Sequence, residues 1–151
     1  MKVWRSVLVG AGVAVLGVLP VAAQTSAVSK PLYERLGGMP AITAVANGLV
    51  DRILADTRVN AWFAHAAASK EEATRYKASL ANFVCQGIGG PCSYTGPDMV
   101  AAHKGRRVTS AAFDAVVEDL TAVLNELKVP VAEKNELLGA LAPLKAQIVQ
   151  K

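Results

Sequence analysis

The chain has 151 residues, of which 52% are hydrophobic and 19% are charged, and its formal net charge is +4. This length and apolar content suit one domain with a substantial core and exclude a disordered chain. The excess of basic over acidic residues is small, and the basic residues do not alternate with aromatic residues. Both observations argue against nucleic-acid binding.

The N-terminus has the pattern of a secretory leader. A basic start, "MKVWRS", precedes the apolar run "VLVGAGVAVLGVLP", and "VAAQ" offers small residues for a signal peptidase. The run is shorter than the roughly 17 residues that a membrane span needs, although an uncleaved anchor is the alternative. We expect a signal peptide over residues 1–23, a short linker over 24–30 and one domain over 31–151. The mature protein is then exported, to the periplasm rather than the medium, without a stable membrane anchor.

The remaining chain predicts an all-helical fold, because apolar residues recur at helical spacing and no alternating strand pattern occurs. A short piece, "PLYERLGG", comes first. A long helix then begins near Pro40, since proline suits the first turn. One face of that helix carries Ile42, Val45, Leu49 and Ile53. Another short piece, "RVNAWFAH", follows.

The next helix opens with Ser69 and Glu72, which have the spacing of a capping box. It should stop at Gly89 and Gly90, which favour the left-handed conformation that ends helices. Its apolar face carries Tyr76, Leu80, Phe83 and Val84.

Three further helices are predicted toward the C-terminus. The first is short and runs from Pro97 to just before Gly105. The second has a wide apolar stripe formed by Phe113, Val116, Val117, Leu120, Val123, Leu124 and Leu127. The third starts at Pro130 and should kink at Pro143, which lacks a backbone donor. Its apolar positions are Leu137, Leu138, Leu141, Leu144 and Ile148.

Six residues lie between the two cysteines, Cys85 and Cys92, which form no Cys-x-x-Cys motif. In a cytosolic protein they would be two buried thiols. Export favours a disulfide between them, although the sequence leaves both states open.

His103 is the strongest candidate for chemistry, because no catalytic triad, phosphate loop or Glu-x-x-His pair occurs. A histidine at a helix end is usually an exposed residue favoured by the helix dipole. Met99 and Ala102 lie beside it, however, on a short helix that could pack across a flat ligand. His65 follows in a polar loop and is expected to be more exposed.

The order of several motifs resembles the group I truncated haemoglobins over nearly all of residues 31–149. The motifs are "LYERLGGMPAI", "RILAD", "RVNAWF", "GGPCSYTGPDM", "AAHKGR" and "VPVAEKNELLGALAPL". The resemblance implies a two-over-two helical sandwich around haem b. His103 then matches the histidine that binds the iron, and its second ring nitrogen would donate a hydrogen bond.

The resemblance also assigns other residues to the haem. Phe63 matches a phenylalanine that stacks on the ring, and Tyr94 with Lys77 or Arg75 is expected at the propionates. Further positions that match the lining of the haem pocket are Met99, Val108, Phe113, Val116, Leu137 and Leu141. A helical core without any ligand is the alternative explanation for each of these residues.

This chain departs from the family pattern on the distal side, where the gas binds. Val50 stands where many members have a tyrosine, and Leu80 where many have a glutamine. Tyr76 is then the remaining hydroxyl on that face; either Tyr76 or the adjacent Lys77 could alternatively ligate the iron. Arg107 replaces a glycine, which implies a different turn or an arginine that reaches a propionate.

The resemblance implies reversible binding of dioxygen or another diatomic gas. With one donor in place of the usual polar cage, oxygen release and autoxidation should be faster. One alternative is a haem enzyme that performs NO dioxygenation or peroxidase-like chemistry, which needs an unidentified electron donor. A haem-free helical interaction module is the other.

Overall fold

The computed structural model describes residues 30–150, and the predicted signal peptide lies outside this range. Within it, seven α-helices and two 3₁₀ turns account for the regular structure. The helices are α1 Leu32–Leu36, α2 Gly38–Ala55, α3 Lys70–Gly87, α4 Met99–His103, α5 Ser110–Glu126, α6 Val131–Leu141 and α7 Lys145–Ile148. The 3₁₀ turns are Asn60–Phe63 and Ala142–Leu144. The all-helical prediction is confirmed.

Helix α2 is the centre of the packing, since it contacts both α3 and α5, and α5 in turn contacts α6. Gly48 allows the approach of α2 to α5, because a Cβ atom there would lie 2.9 Å from Val123 Cγ1. The predicted apolar face of α2 is confirmed: Ile42 and Ile53 are each 1% exposed. The helix begins at Gly38, two residues before the predicted start.

The predicted helix caps are confirmed in part. Ser69 Oγ accepts a 3.1 Å hydrogen bond from the Glu72 backbone N–H, as a capping serine should. Helix α3 ends at Gly87, and Gly89 then takes a φ of +82°. Helix α4 begins at Met99, two residues after the predicted start at Pro97. Asp98 caps it, because its Oδ1 accepts from the Ala101 N–H at 2.8 Å.

The C-terminal helix is interrupted where proline was expected to disturb it. Helix α6 ends at Leu141, a 3₁₀ turn containing Pro143 follows, and α7 resumes at Lys145. Leu127 was predicted in the apolar stripe of α5 but is 46% exposed. It lies beyond Glu126, the last residue of α5, where the chain no longer follows the helical period.

No helix among residues 30–150 has the length and hydropathy that crossing a membrane requires.

Candidate functional site

A cavity of about 420 Å³ lies between the helices and contains nearly all of the predicted site residues. This volume is within the range of small-molecule and cofactor sites, roughly 300–1,000 Å³. The predicted residues that line it are Phe63, Tyr76, Leu80, Tyr94, Met99, His103, Val108, Phe113, Val116, Leu137 and Leu141. They come from the 3₁₀ turn before α3, from every helix from α3 to α6 and from the segments between these helices, so the fold brings together positions far apart in sequence.

His103 is held in one ring orientation at the end of α4. Its Nδ1 donates to the carbonyl oxygen of Met99, one turn earlier, at 2.8 Å. Because a carbonyl can only accept, this bond places the proton on Nδ1 and leaves the lone pair on Nε2. The ring is half-buried and lines the cavity. His103 can therefore act as a neutral imidazole ligand with its orientation fixed by its own helix.

Tyr76 is a protonated hydroxyl at the cavity wall. Burial raises the pKa of Tyr76 to about 12, an effect that the positive charge of Arg106 partly opposes. Its ring packs edge-to-face against Phe63, with ring centres 5.9 Å apart. The hydroxyl keeps its proton at neutral pH and can donate a hydrogen bond.

The sequence had suggested Tyr76 as the remaining hydroxyl on the distal face. Two further residues with hydroxyl groups, Ser79 and Tyr94, also line the cavity. The Tyr94 hydroxyl donates to the carbonyl oxygen of Pro97 at 3.1 Å, and its backbone N–H donates to Gln86 Oε1 at 2.7 Å. Tyr94 thus braces the loop that leads into α4.

Two residues assigned to the site lie outside the cavity lining. Lys77 forms an ion pair with Asp51 on α2, with 2.6 Å between Nζ and Oδ1. Val50 is fully buried, while Leu49 beside it lines the cavity. Successive helical residues point about 100° apart, which allows Leu49 to line the cavity while Val50 does not.

The other two basic candidates do not line the cavity either. Arg75 is 72% exposed and pairs with Glu72, so it does not reach the cavity. Arg107 adopts a φ of +53°, and its backbone N–H donates to Gln150 Oε1 at 3.0 Å. The turn that a glycine would normally make is therefore built with an arginine in the left-handed conformation.

Several residues that the sequence did not point to line the cavity as well, among them Trp62, His65 and Arg106. His65 is 71% exposed, as expected, but it lies at the rim beside Tyr76, with ring centres 6.4 Å apart. Trp62 Nε1 donates to the carbonyl oxygen of Arg106 at 3.0 Å. In the sequence, the amphipathic Trp62 beside Phe63 could have indicated that this segment lines the site.

The donor set fits an iron porphyrin. A flat, largely apolar ring needs apolar walls, an axial nitrogen base for its metal and a cation near its carboxylates. The cavity supplies aliphatic and aromatic walls, Nε2 of His103 and the guanidinium of Arg106. A helical fold with these features is that of a haem protein.

Comparison with known proteins identifies the family of this haem protein. The model of the bacterial-like globin family matches residues 31–150. A group 1 truncated haemoglobin of Mycolicibacterium paratuberculosis is 33% identical over 117 residues, covering 78% of this chain and 82% of that protein. Another, of Tetrahymena pyriformis, is 36% identical over 105 residues, covering 70% and 83%.

Solved structures of truncated haemoglobins are similar to this chain in fold. The Fe(III) form of the Tetrahymena pyriformis truncated haemoglobin has a TM-score of 0.72 at 31% identity and covers 81% of this chain and all of that one. The 2/2 haemoglobin of Synechococcus sp. PCC 7002, solved in the cyanomet state with covalently attached haem, gives 0.70 at 27% identity, with coverages of 80% and 99%. The chain belongs to the bacterial-like globins, as a group 1 truncated haemoglobin with the two-over-two fold. Haem b is the usual cofactor of this family.

Proposed function

We propose that this protein is an exported haem b protein that binds dioxygen, or another diatomic gas, reversibly at an iron held by His103. Binding of diatomic gases through haem is the general property of globins. The observation that carries the assignment to this residue is the 2.8 Å bond from Nδ1 to the Met99 carbonyl. It leaves Nε2 of His103 as the nitrogen base of the cavity.

When bound, haem would supply an iron that takes up a diatomic gas. The residues of the cavity would set the environment of that gas. Aliphatic side chains of α2 and α3, among them Leu49 and Leu80, exclude water from the cavity. A dry site strengthens the polar contacts that remain in it.

Tyr76 provides the hydrogen bond to the gas in this proposal. Dioxygen held in this cavity would carry partial negative charge, so the neutral hydroxyl of Tyr76 would stabilise it by donating a hydrogen bond. The raised pKa of Tyr76 keeps that donor protonated. Lys77 is engaged by Asp51, which favours the tyrosine over the lysine as the polar group of the distal side.

The first test is absorption spectroscopy on purified protein supplied with hemin. The native chain should give a haem Soret band. His103→Gly should lose or shift that band, and added imidazole should restore it by filling the space of the missing ring. His65→Gly is the matched control, because it removes the second histidine of the cavity and should leave the spectrum unchanged. A colourless native protein, or a His103→Gly protein with an unaltered spectrum, contradicts the proposal.

Export is supported by the leader pattern of residues 1–23 and by the disulfide between Cys85 and Cys92, since disulfides persist in oxidising compartments. N-terminal sequencing of the protein from the periplasmic fraction should begin near Gln24. Recovery of the full chain with Met1 from the cytoplasm would contradict export without affecting haem binding.

A further inference from the structure

Helix α4 carries His103 at its end but has little packing of its own. Each of its five residues is at least partly exposed to solvent, and among the helices it packs mainly against the short α7. Apolar burial therefore contributes little to its position, because that contribution scales with the area removed from water. The placement of His103 depends more heavily on the hydrogen bonds made by the turn that follows it, residues 104–107.

Trp62 reaches this turn from a distant part of the chain. Its indole Nε1–H donates to the carbonyl oxygen of Arg106 at 3.0 Å, across 44 positions of sequence. The Arg106 N–H donates in turn to the His103 carbonyl at 3.0 Å, so two consecutive bonds join the indole to the backbone of His103. The Arg106 guanidinium adds only a longer contact, 3.5 Å, to the Trp62 carbonyl. The connection therefore depends mainly on the indole N–H.

Trp62 is itself anchored to the core. Its backbone N–H donates to the Val59 carbonyl at 3.0 Å, and Val59 is 1% exposed. Its side chain packs against the buried core and lines the cavity next to Phe63, whose ring contacts that of Tyr76. Trp62 thus links the part of the cavity wall that carries Tyr76 to the segment that carries His103.

We infer that Trp62 is a positioning residue for His103: its indole N–H holds the turn of residues 104–107, and this turn keeps the imidazole in place at the cavity wall. A rigid, partly buried ring with a single N–H donor suits this task, because it loses little conformational freedom when the bond forms. Gln150 holds the same His103 carbonyl from the C-terminal end of the chain. This inference rests on the proposed haem binding, in which His103 is the iron ligand.

Trp62→Phe tests the inference, because phenylalanine keeps an aromatic ring in the cavity wall and removes the N–H. In protein supplied with hemin and then reduced, the iron–histidine stretching band of the resonance Raman spectrum should move to lower frequency. Haem transfer to excess apomyoglobin should become about fivefold faster, the factor that one ordinary hydrogen bond gives. Lys104→Ala is the matched control: Lys104 is an exposed residue of the same turn, and its substitution should change neither measurement.

Hydrogen exchange on the full chain, with and without hemin, separates positioning from a general loss of stability. The backbone amides of residues 103–108 should exchange faster in Trp62→Phe, while those of α2 and α5 keep their native rates. Evenly faster exchange in all helices would overturn the inference, as would unchanged exchange in this turn or an iron–histidine band that stays in place. A native protein without a haem spectrum would contradict the proposed function, and exchange in the haem-free chain would then still show whether Trp62 holds the turn.

Discussion

Gln150 donates a hydrogen bond of 2.7 Å from its side-chain Nε2 to the backbone carbonyl of His103. Two more bonds join the same residue to this segment: its Oε1 accepts from the Arg107 N–H at 3.0 Å, and its own N–H donates to the Val108 carbonyl at 3.0 Å. The C-terminal end of the chain thus holds the segment of the candidate iron ligand at three points.

Gln150→Ala should loosen this segment, because two side-chain hydrogen bonds are lost while the backbone bond remains. We expect a loss of about 1 kcal/mol in the free energy of unfolding, since exposed hydrogen bonds contribute modestly, and faster haem release. Urea denaturation and haem transfer measure the two effects. Gln147→Ala removes an exposed glutamine on α7 and serves as the control. Equal behaviour of the two variants would show that the three bonds do not hold the segment.

Tyr76→Phe should speed the dissociation of dioxygen by about tenfold, because a hydrogen bond to a charged acceptor contributes about 1.5 kcal/mol. Flash photolysis or stopped-flow mixing with a scavenger gives the rate. Ser79→Ala removes another cavity hydroxyl on the same helix and should have a smaller effect. An unchanged rate in Tyr76→Phe would exclude the tyrosine as the distal donor.

The disulfide between Cys85 and Cys92 closes a short loop at the end of α3. Cys85 is fully buried and Cys92 Sγ lies 3.7 Å from Met39 Sδ, so the bridge ties this loop to the core. Replacing both cysteines with alanine should lower the free energy of unfolding by about 2–3 kcal/mol, the loop-closure entropy for this size. Denaturation with and without a reductant measures it. Reduction should destabilise the native protein and leave the double variant unaffected.

Lys128, two residues beyond the end of α5, takes the left-handed conformation, with a φ of +55°. Its N–H donates to the Asn125 carbonyl at 3.0 Å and the Val129 N–H donates to Leu124 at 2.9 Å, the pattern of a Schellman motif, in which glycine is preferred. Lys128→Gly should therefore stabilise the protein by about 1 kcal/mol. Thermal denaturation measures the gain. Lys128→Ala keeps the Cβ atom and should give none; a gain from alanine would place the effect in the lysine side chain.

Asp119 carries a buried carboxylate oxygen, Oδ2, without a hydrogen-bond partner in the described part of the chain. Burial raises its pKa above the ordinary 3.8, and the negative charge of Asp56 adds to the effect. The native state therefore favours the protonated carboxyl: its contribution to stability is present below about pH 3.8 and is lost as pH rises through the raised value.

Asp119→Asn should accordingly raise the free energy of unfolding by about 1 kcal/mol at pH 7, and the gain should shrink toward pH 3. Asp56→Asn provides a control of opposite sign, because hydrogen bonds from Arg58 lower the pKa of Asp56. That substitution should destabilise the protein at pH 7 and lose its effect as pH falls below the ordinary value. Denaturation curves across this range measure both, and parallel pH profiles would contradict the assignment.

Much of the fold could be predicted because its signals are local. The capping of α3 by Ser69 depends on residues three positions apart, and the interruption at Pro143 follows from a missing donor. The apolar face of α2 follows from the period of one helix. His103 needed more than spacing, since a lone histidine at a helix end has an ordinary surface role; the order of the surrounding motifs singled it out.

What the sequence by itself determined is the helical content, the faces that form the core and the residues that could serve the cofactor. Only the tertiary structure decided which polar groups face the cavity. Lys77 lies on α3 within reach of Asp51 on α2, so it pairs across the helices, whereas Arg106 lies on a turn at the cavity rim. Long charged side chains can reach many partners, and the packing of helices distant in sequence selects among them.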